Sequence, residues 1–132
     1  LGLGQNARAA LIARGYAEMV RFGLALGGRA ETLAGLCGLG DLVLTCSSTS
    51  SRNFSLGKAL GEGQSAAEAL HGKSSVAEGA HTAPVLADLA RRHGVDMPIV
   101  DAVCRLLAGE APATAVVTEL LSRPLRAEGL EA

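Results

Sequence analysis

Between Asn6 and Leu26 apolar residues recur at helical spacing, at Leu11, Ile12, Tyr16, Met19, Val20, Gly23 and Leu24, while Arg14, Glu18 and Arg21 share the opposite face. The pattern predicts one long amphipathic helix ended by Gly27-Gly28, since glycine accepts the left-handed conformation common at helix C-termini. A short helical segment over Glu31 to Leu36 leads into Gly38-Leu39-Gly40-Asp41-Leu42, where two glycines permit close approach of backbone or ligand. Leu42 to Leu44 is apolar enough to read as a strand, but it is too short and isolated to propose a sheet. Ser47 to Ser51 is a loop by composition, and Ser51 is placed to cap a helix running through Leu60 to the stop at Gly61 and Gly63.

Farther along, Ser65-Ala66-Ala67-Glu68 has the capping-box spacing for a brief helix ending near Gly72, followed by a turn at Ser74-Ser75. Val85, Leu86, Leu89 and Ala90 mark a helix closing at His93-Gly94, with Pro84 disturbing its start or its straightness. Pro98 opens a helix carrying Ile99, Val103, Leu106 and Leu107, and Pro112 opens another with Val116, Val117, Leu120 and Leu121. The tail after about residue 124 is expected to fray. No alternation of strands with helices supports a doubly wound sheet, so the expected fold is all-α: a single compact multi-helix domain over 1–132.

Composition narrows this picture. At 132 residues the chain has the size of one domain, and with 48% hydrophobic but only 2% aromatic residues its core must be built from Ala, Leu and Val. Twelve Lys plus Arg against thirteen Asp plus Glu leave a formal net charge of -1, which gives no general field for nucleic acid or an acidic membrane. Any phosphate site must be local. No run approaches the roughly 18 apolar residues of a membrane span, and no signal peptide is evident; a cytoplasmic protein is expected. Cys37, Cys46 and Cys104 are widely separated and lack metal-ligand spacing, which predicts reduced core thiols and neither a disulfide framework nor a metal site.

Gly2-Leu3-Gly4-Gln5-Asn6-Ala7 fits the G-x-G-x-x-A form of the dinucleotide fingerprint, but no strand can precede it and no β-α-β unit follows, so the match is rejected. His71, His81 and His93 have no evident acid partner nearby in sequence and are read as surface or helix-end residues. Arg91-Arg92-His93 suits the negative end of a helix dipole.

More chemistry is concentrated in Gly40-Asp41-Leu42-Val43-Leu44-Thr45-Cys46 and the following Ser51-Arg52-Asn53. An Arg in the first turn of a helix offers phosphate a forked, permanently charged donor, and Ser, Asn and free backbone N–H groups add hydrogen bonds. Asp41, on a glycine-flanked turn, could hold a substrate hydroxyl or position an ammonium. The same residues also suit plain structural roles: Ser51 as a cap, Arg52 as a solvated charge, Asp41 as a turn former. The residue pattern points to a small phosphorylated ligand without identifying it.

The stretches 38–46 and 51–53, together with Asn-Ala-Arg-Ala-Ala-Leu-Ile-Ala-Arg-Gly at 6–15, Val76-Ala77-Glu78-Gly79 and His93-Gly94-Val95-Asp96-Met97-Pro98, closely resemble the bacterial NAD(P)-dependent glycerol-3-phosphate dehydrogenases in order along nearly the whole chain. The resemblance implies the helical C-terminal, substrate-binding domain of such an enzyme, like the C-terminal domain of 6-phosphogluconate dehydrogenase in fold. It further implies interconversion of sn-glycerol 3-phosphate and dihydroxyacetone phosphate with NAD or NADP, supplying glycerophospholipid synthesis, in a homodimer. By position it makes Asp41 the acid beside a catalytic lysine, Thr45 a substrate contact, and Ser51, Arg52 and Asn53 the substrate-binding triplet. Arg52, Val76 and Glu78 would contribute to the dinucleotide site.

The catalytic lysine and the Rossmann domain are expected upstream of Leu1, and neither Lys58 nor Lys73 matches that lysine, so the chain by itself is expected to be inactive. Two alternatives stay open: a non-catalytic helical interaction module, and the helical domain of a related dehydrogenase.

Overall fold

The computed structural model describes residues 1–71 and 77–123, and among these every regular element is helical. Eight α-helices follow in order: α1 (Gly4–Ala25), α2 (Ala30–Leu33), α3 (Asp41–Thr45), α4 (Arg52–Gly61), α5 (Ala66–Leu70), α6 (Glu78–Arg92), α7 (Pro98–Ala108) and α8 (Ala113–Ser122), with a π-turn at Leu36–Gly40 between α2 and α3. The all-α expectation therefore holds. The expected helix end at Gly72, the Ser74-Ser75 turn and the tail after 124 lie outside the described residues, as does Val76.

The caps foreseen in the sequence are present. Gly27 (φ +82°) donates to the Leu24 carbonyl at 2.9 Å and Gly28 to that of Gly23 at 2.8 Å, the paired bonds that close α1 and satisfy two of its last carbonyls. Ser65 and Glu68 form a reciprocal capping box at α5, and the bonds from Ser65 hold the Glu68 carboxyl below its ordinary pKa. The GxGxxA match opens directly into α1 with Leu3 as its N-cap, in keeping with its rejection.

Three expectations need correction. Leu42–Leu44 is helical, inside α3: Leu42 is half-buried while Val43 and Leu44 face outward, a one-sided burial that a single helical turn satisfies and an isolated strand cannot. Pro84 neither starts nor breaks α6, which begins six residues earlier and runs through it. A proline in a helix interior removes one hydrogen bond and costs about 3 kcal/mol. Pro84 is exposed, however, and on the same helix Ala83, Ala87 and Ala90, spaced four and three apart, are buried. Small side chains let α7 approach closely there with Ala102 buried, and that packing sustains the helix. The cysteines are unbridged but are not core residues: Cys37 is exposed, and Cys46 and Cys104 are half-buried.

The charged face of α1 also departs from a simple solvent stripe. Glu18 is 3% exposed, and its carboxylate accepts the Ile99 N–H at 2.7 Å and the Val100 N–H at 3.4 Å. It thus caps the first turn of α7 from another helix, at the positive end of that helix dipole, where Met97 supplies no side-chain cap. Arg14 donates to the Leu120 carbonyl at 3.0 Å and Arg21 to that of Asp96 at 3.3 Å, so the three charges pin α1 to the C-terminal helices. Between α1, α4, α7 and α8 runs a mainly apolar groove of about 980 Å³, lined in part by Leu11, Phe54, Leu60, Ile99 and Leu106.

The functional loops rest on a small apolar cluster in which Leu56 and Ala59 of α4 meet Ala69 of α5 and Ala77 at the head of α6, with Leu60, Leu70, Ala80 and Leu107 around them. Burying one such leucine contributes about 1.5–3 kcal/mol. This cluster sets the start of α4 beside the start of α6.

Burial raises the Glu18 pKa above its ordinary 4.5, and the two backbone N–H bonds and Arg21 oppose that shift without cancelling it. A raised folded-state pKa means that folding favours the protonated form. This group's contribution to stability is therefore fully present below pH 4.5 and is lost as pH rises through the raised value. Glu18→Gln, which keeps an acceptor for Ile99 without a charge to desolvate, should gain on the unsubstituted protein over that rise in urea-unfolding experiments. Glu18→Ala should lose about 1–3 kcal/mol by stranding buried N–H groups; unchanged stability in Glu18→Ala would contradict the capping role.

Candidate phosphate and dinucleotide site

Ser51, in extended backbone (φ -74°, ψ 127°), is the N-cap of α4, and its hydroxyl accepts the Phe54 N–H at 3.3 Å. The Ser55 hydroxyl in turn donates to the Thr49 carbonyl at 2.8 Å, tying the preceding loop to the helix. The cap fixes where the helix starts, and so places Arg52 and Asn53 in its first turn, next to backbone N–H groups that carry the positive end of the dipole.

Across from them α6 begins. The Arg52 guanidinium lies 3.7 Å from the Glu78 carboxylate, with the two side chains 55% and 78% exposed. An ion pair so exposed is worth at most about 1 kcal/mol, so an incoming anion can replace Glu78 at little cost. The Asn53 side-chain oxygen accepts the Gly79 N–H at 3.0 Å. The structure thus brings together Arg52, Asn53 and Glu78, separated by 25 to 26 residues in sequence. The bond to Gly79 is a contact that sequence reasoning missed. One signal for it was available: the residue capping α6 is Ala77, whose methyl side chain cannot accept a hydrogen bond, so an acceptor had to come from elsewhere.

Asp41 is exposed as the first residue of α3, directly after the π-turn, and Thr45 is half-buried at that helix's end. Among the described residues no hydrogen bond or ion pair links either of them to Ser51, Arg52 or Asn53, and the 46–51 loop lies between the two groups in the chain. The tight approach expected at the glycines of the π-turn is an approach of backbone: a side chain at Gly38 would start 2.0 Å from the Leu33 carbonyl oxygen, whereas Gly40 has no atom nearer than 3.5 Å. Gly38 therefore lets the turn close and delivers Asp41 to the surface. Exposed apolar side chains flank it, Leu36 at 91% and Leu44 at 68%.

The remaining eye-catching groups are peripheral. His71, His81 and His93 are all exposed, and Arg91 and Arg92 pair with Asp88 on α6. Among the described residues no cluster of His, Cys, Asp and Glu could hold a metal ion, and no helix is long and apolar enough to cross a membrane.

The family described as "NAD-dependent glycerol-3-phosphate dehydrogenase C-terminus" matches residues 1–118. Proteins named glycerol-3-phosphate dehydrogenase [NAD(P)+] from Erythrobacter litoralis and Caulobacter vibrioides are 77% and 58% identical to the chain, over 97% and 96% of its length. The chain spans 38% of the length of each of these relatives. A 2.1 Å crystal structure of glycerol-3-phosphate dehydrogenase from Coxiella burnetii superposes with a TM-score of 0.88 at 46% identity, covering 92% of this chain and 37% of that one. With a match over most of its length and a common helical architecture, the chain belongs to the family of NAD-dependent glycerol-3-phosphate dehydrogenase C-terminal domains.

Proposed function

We propose that the chain is the substrate-binding part of a longer dehydrogenase that interconverts sn-glycerol 3-phosphate and dihydroxyacetone phosphate with NAD or NADP. The observation that carries this reading is the placement of Arg52, a half-exposed guanidinium with one weak ion pair, in the first turn of α4 and facing Glu78 at the start of α6. A phosphate there gains a forked cation and a helix N-terminus at once. Ser51 and Asn53 complete the triplet, the first by fixing the helix start and the second by offering its amide N–H donors. Thr45 adds a hydroxyl from α3.

The same residues suit a dinucleotide. Its pyrophosphate and ribose need cationic donors and an acceptor close together, and Arg52 and Glu78 provide both in one exposed pair; Val76 joins the reading through the family resemblance alone. When bound, the nicotinamide supplies or accepts the hydride. The chain's own residues hold the substrate phosphate at Arg52 and keep the three-carbon unit oriented, which converts an encounter into a positioned reaction. Asp41 holds the ammonium of the catalytic lysine, a residue carried by the rest of the parent protein. The exposed Leu36, Val43 and Leu44 beside Asp41 form an apolar surface suited to meeting that remainder. A cytoplasmic homodimer, as the family resemblance implies, belongs to the same reading.

In the full-length enzyme Arg52→Ala should raise KM for dihydroxyacetone phosphate by about ten- to a hundredfold, the size expected for hydrogen bonds to a charged group. Steady-state kinetics indistinguishable from those of the unsubstituted enzyme would refute the phosphate role. Asp41→Asn should act chiefly on kcat, because it alters the positioning of the proton donor and leaves the phosphate contacts alone. Unchanged turnover in that variant would remove Asp41 from the reaction.

A further inference from the structure

Gly79 occupies the second position of a fifteen-residue helix, where alanine would be the better helix former. Its backbone does not explain the glycine, since it is not among the residues with positive φ. Space does. A Cβ on Gly79 would lie 2.8 Å from the Asn53 Oδ1, 3.1 Å from Cγ and 3.4 Å from Nδ2, so the whole Asn53 carboxamide fills the position that a side chain would need. The same carboxamide oxygen accepts the Gly79 N–H and so provides the cap that Ala77 cannot.

The bond also sets the polarity of Asn53. With Oδ1 committed to a backbone N–H, the amide keeps its NH₂ group as a pair of donors, the correct polarity for a phosphate or hydroxyl oxygen. Arg52 and Glu78, one residue earlier on each helix, form the second link between the same two helix starts. The start of α4 and the start of α6 thus hold each other in place.

We propose that Gly79 is a positioning residue: by leaving room for the Asn53 carboxamide it couples substrate binding at α4 to dinucleotide binding at α6. The inference rests on the functional reading above and deepens it. Ligand at one helix start orders the other through the 53–79 link, which persists when the 52–78 pair is exchanged for ligand, so each ligand tightens the other by a common factor.

The test uses the full-length enzyme, with calorimetric titration of sn-glycerol 3-phosphate in the absence and presence of NAD(P)H, a pair that is already reduced and cannot react. The variants are Gly79→Ala, Asn53→Ala, Asn53→Asp and the double Asn53→Ala/Gly79→Ala. Gly79→Ala should weaken glycerol 3-phosphate binding about tenfold, as loss of a directed hydrogen bond does, and should bring the tightening by NAD(P)H close to nil. It should raise KM while kcat changes by less than about threefold. In the Asn53→Ala background it should cost nothing further, because the obstructed group is gone. Asn53→Asp should keep slow hydrogen exchange at the Gly79 amide, its oxygen still accepting, yet lose substrate affinity, since an acceptor oxygen replaces the two NH₂ donors.

Additive penalties in the double variant, or unchanged affinity and coupling in Gly79→Ala, overturn the proposal. Should Gly79→Ala fold poorly, hydrogen exchange decides on the unsubstituted enzyme and Asn53→Ala: the Gly79 amide must be protected in the first and exposed in the second, and equal exchange overturns it. If the unsubstituted enzyme binds no glycerol 3-phosphate, the functional reading fails and the coupling with it; normal binding with an unaffected Gly79→Ala overturns the coupling alone.

Discussion

The arrangement of the site depends on two helix N-termini being set side by side. Each leaves backbone N–H groups without partners inside its own helix, and each carries partial positive charge. Placed together, they would repel unless something negative or accepting came between them. The Asn53 oxygen on the Gly79 N–H and the Glu78 carboxylate beside Arg52 meet that requirement from within the chain. The first is a short, directed bond; the second is a long, exposed pair that an anionic ligand can displace. A fixed link and an exchangeable one at the same place are what a binding site for phosphates needs, because the scaffold persists when the ion pair is traded for ligand.

The packing below serves that juxtaposition. The chain has few aromatic side chains, and its helices approach through alanine: Ala59 of α4, Ala69 of α5, Ala77 before α6, and the ridge of Ala83, Ala87 and Ala90 along α6. Small residues let helix axes come close, and close axes bring helix ends within hydrogen-bond reach. Glu18 applies the same device to α7, a buried acceptor on one helix serving the orphan N–H groups of another. The fold twice meets the needs of a helix start with a side chain distant in sequence.

That device explains what the sequence could and could not convey. Local rules found α1, α4, α5, α7 and α8, with caps for the first three, since periodicity, Ser51, the Ser65–Glu68 box and Gly27 act over a few residues. The family resemblance supplied the proposed substrate triplet Ser51, Arg52 and Asn53, which stands at the start of α4. The identities of the partners that act over 26 or 81 residues were not legible, even where Ala77 signals that α6 lacks a local cap. Glu18 falls on a charged face by helical spacing and gives no local sign that this face turns inward onto α7. The Ala83, Ala87 and Ala90 ridge that carries α6 through Pro84 was equally silent, because alanine suits exposed and buried positions alike. Leu42–Leu44 misled because three apolar residues carry too little periodicity to separate a strand from one helical turn.

The central claim is that the starts of α4 and α6 together receive the phosphorylated ligands, and the most direct measurement is amide chemical-shift mapping of the parent enzyme as sn-glycerol 3-phosphate is added in the presence of NAD(P)H. The predicted result is perturbation centred on Ser51, Arg52 and Asn53 and extending to Glu78 and Gly79, with glycerol producing none of it. Perturbation confined to the apolar groove along α1, with both helix starts unmoved, would contradict the account.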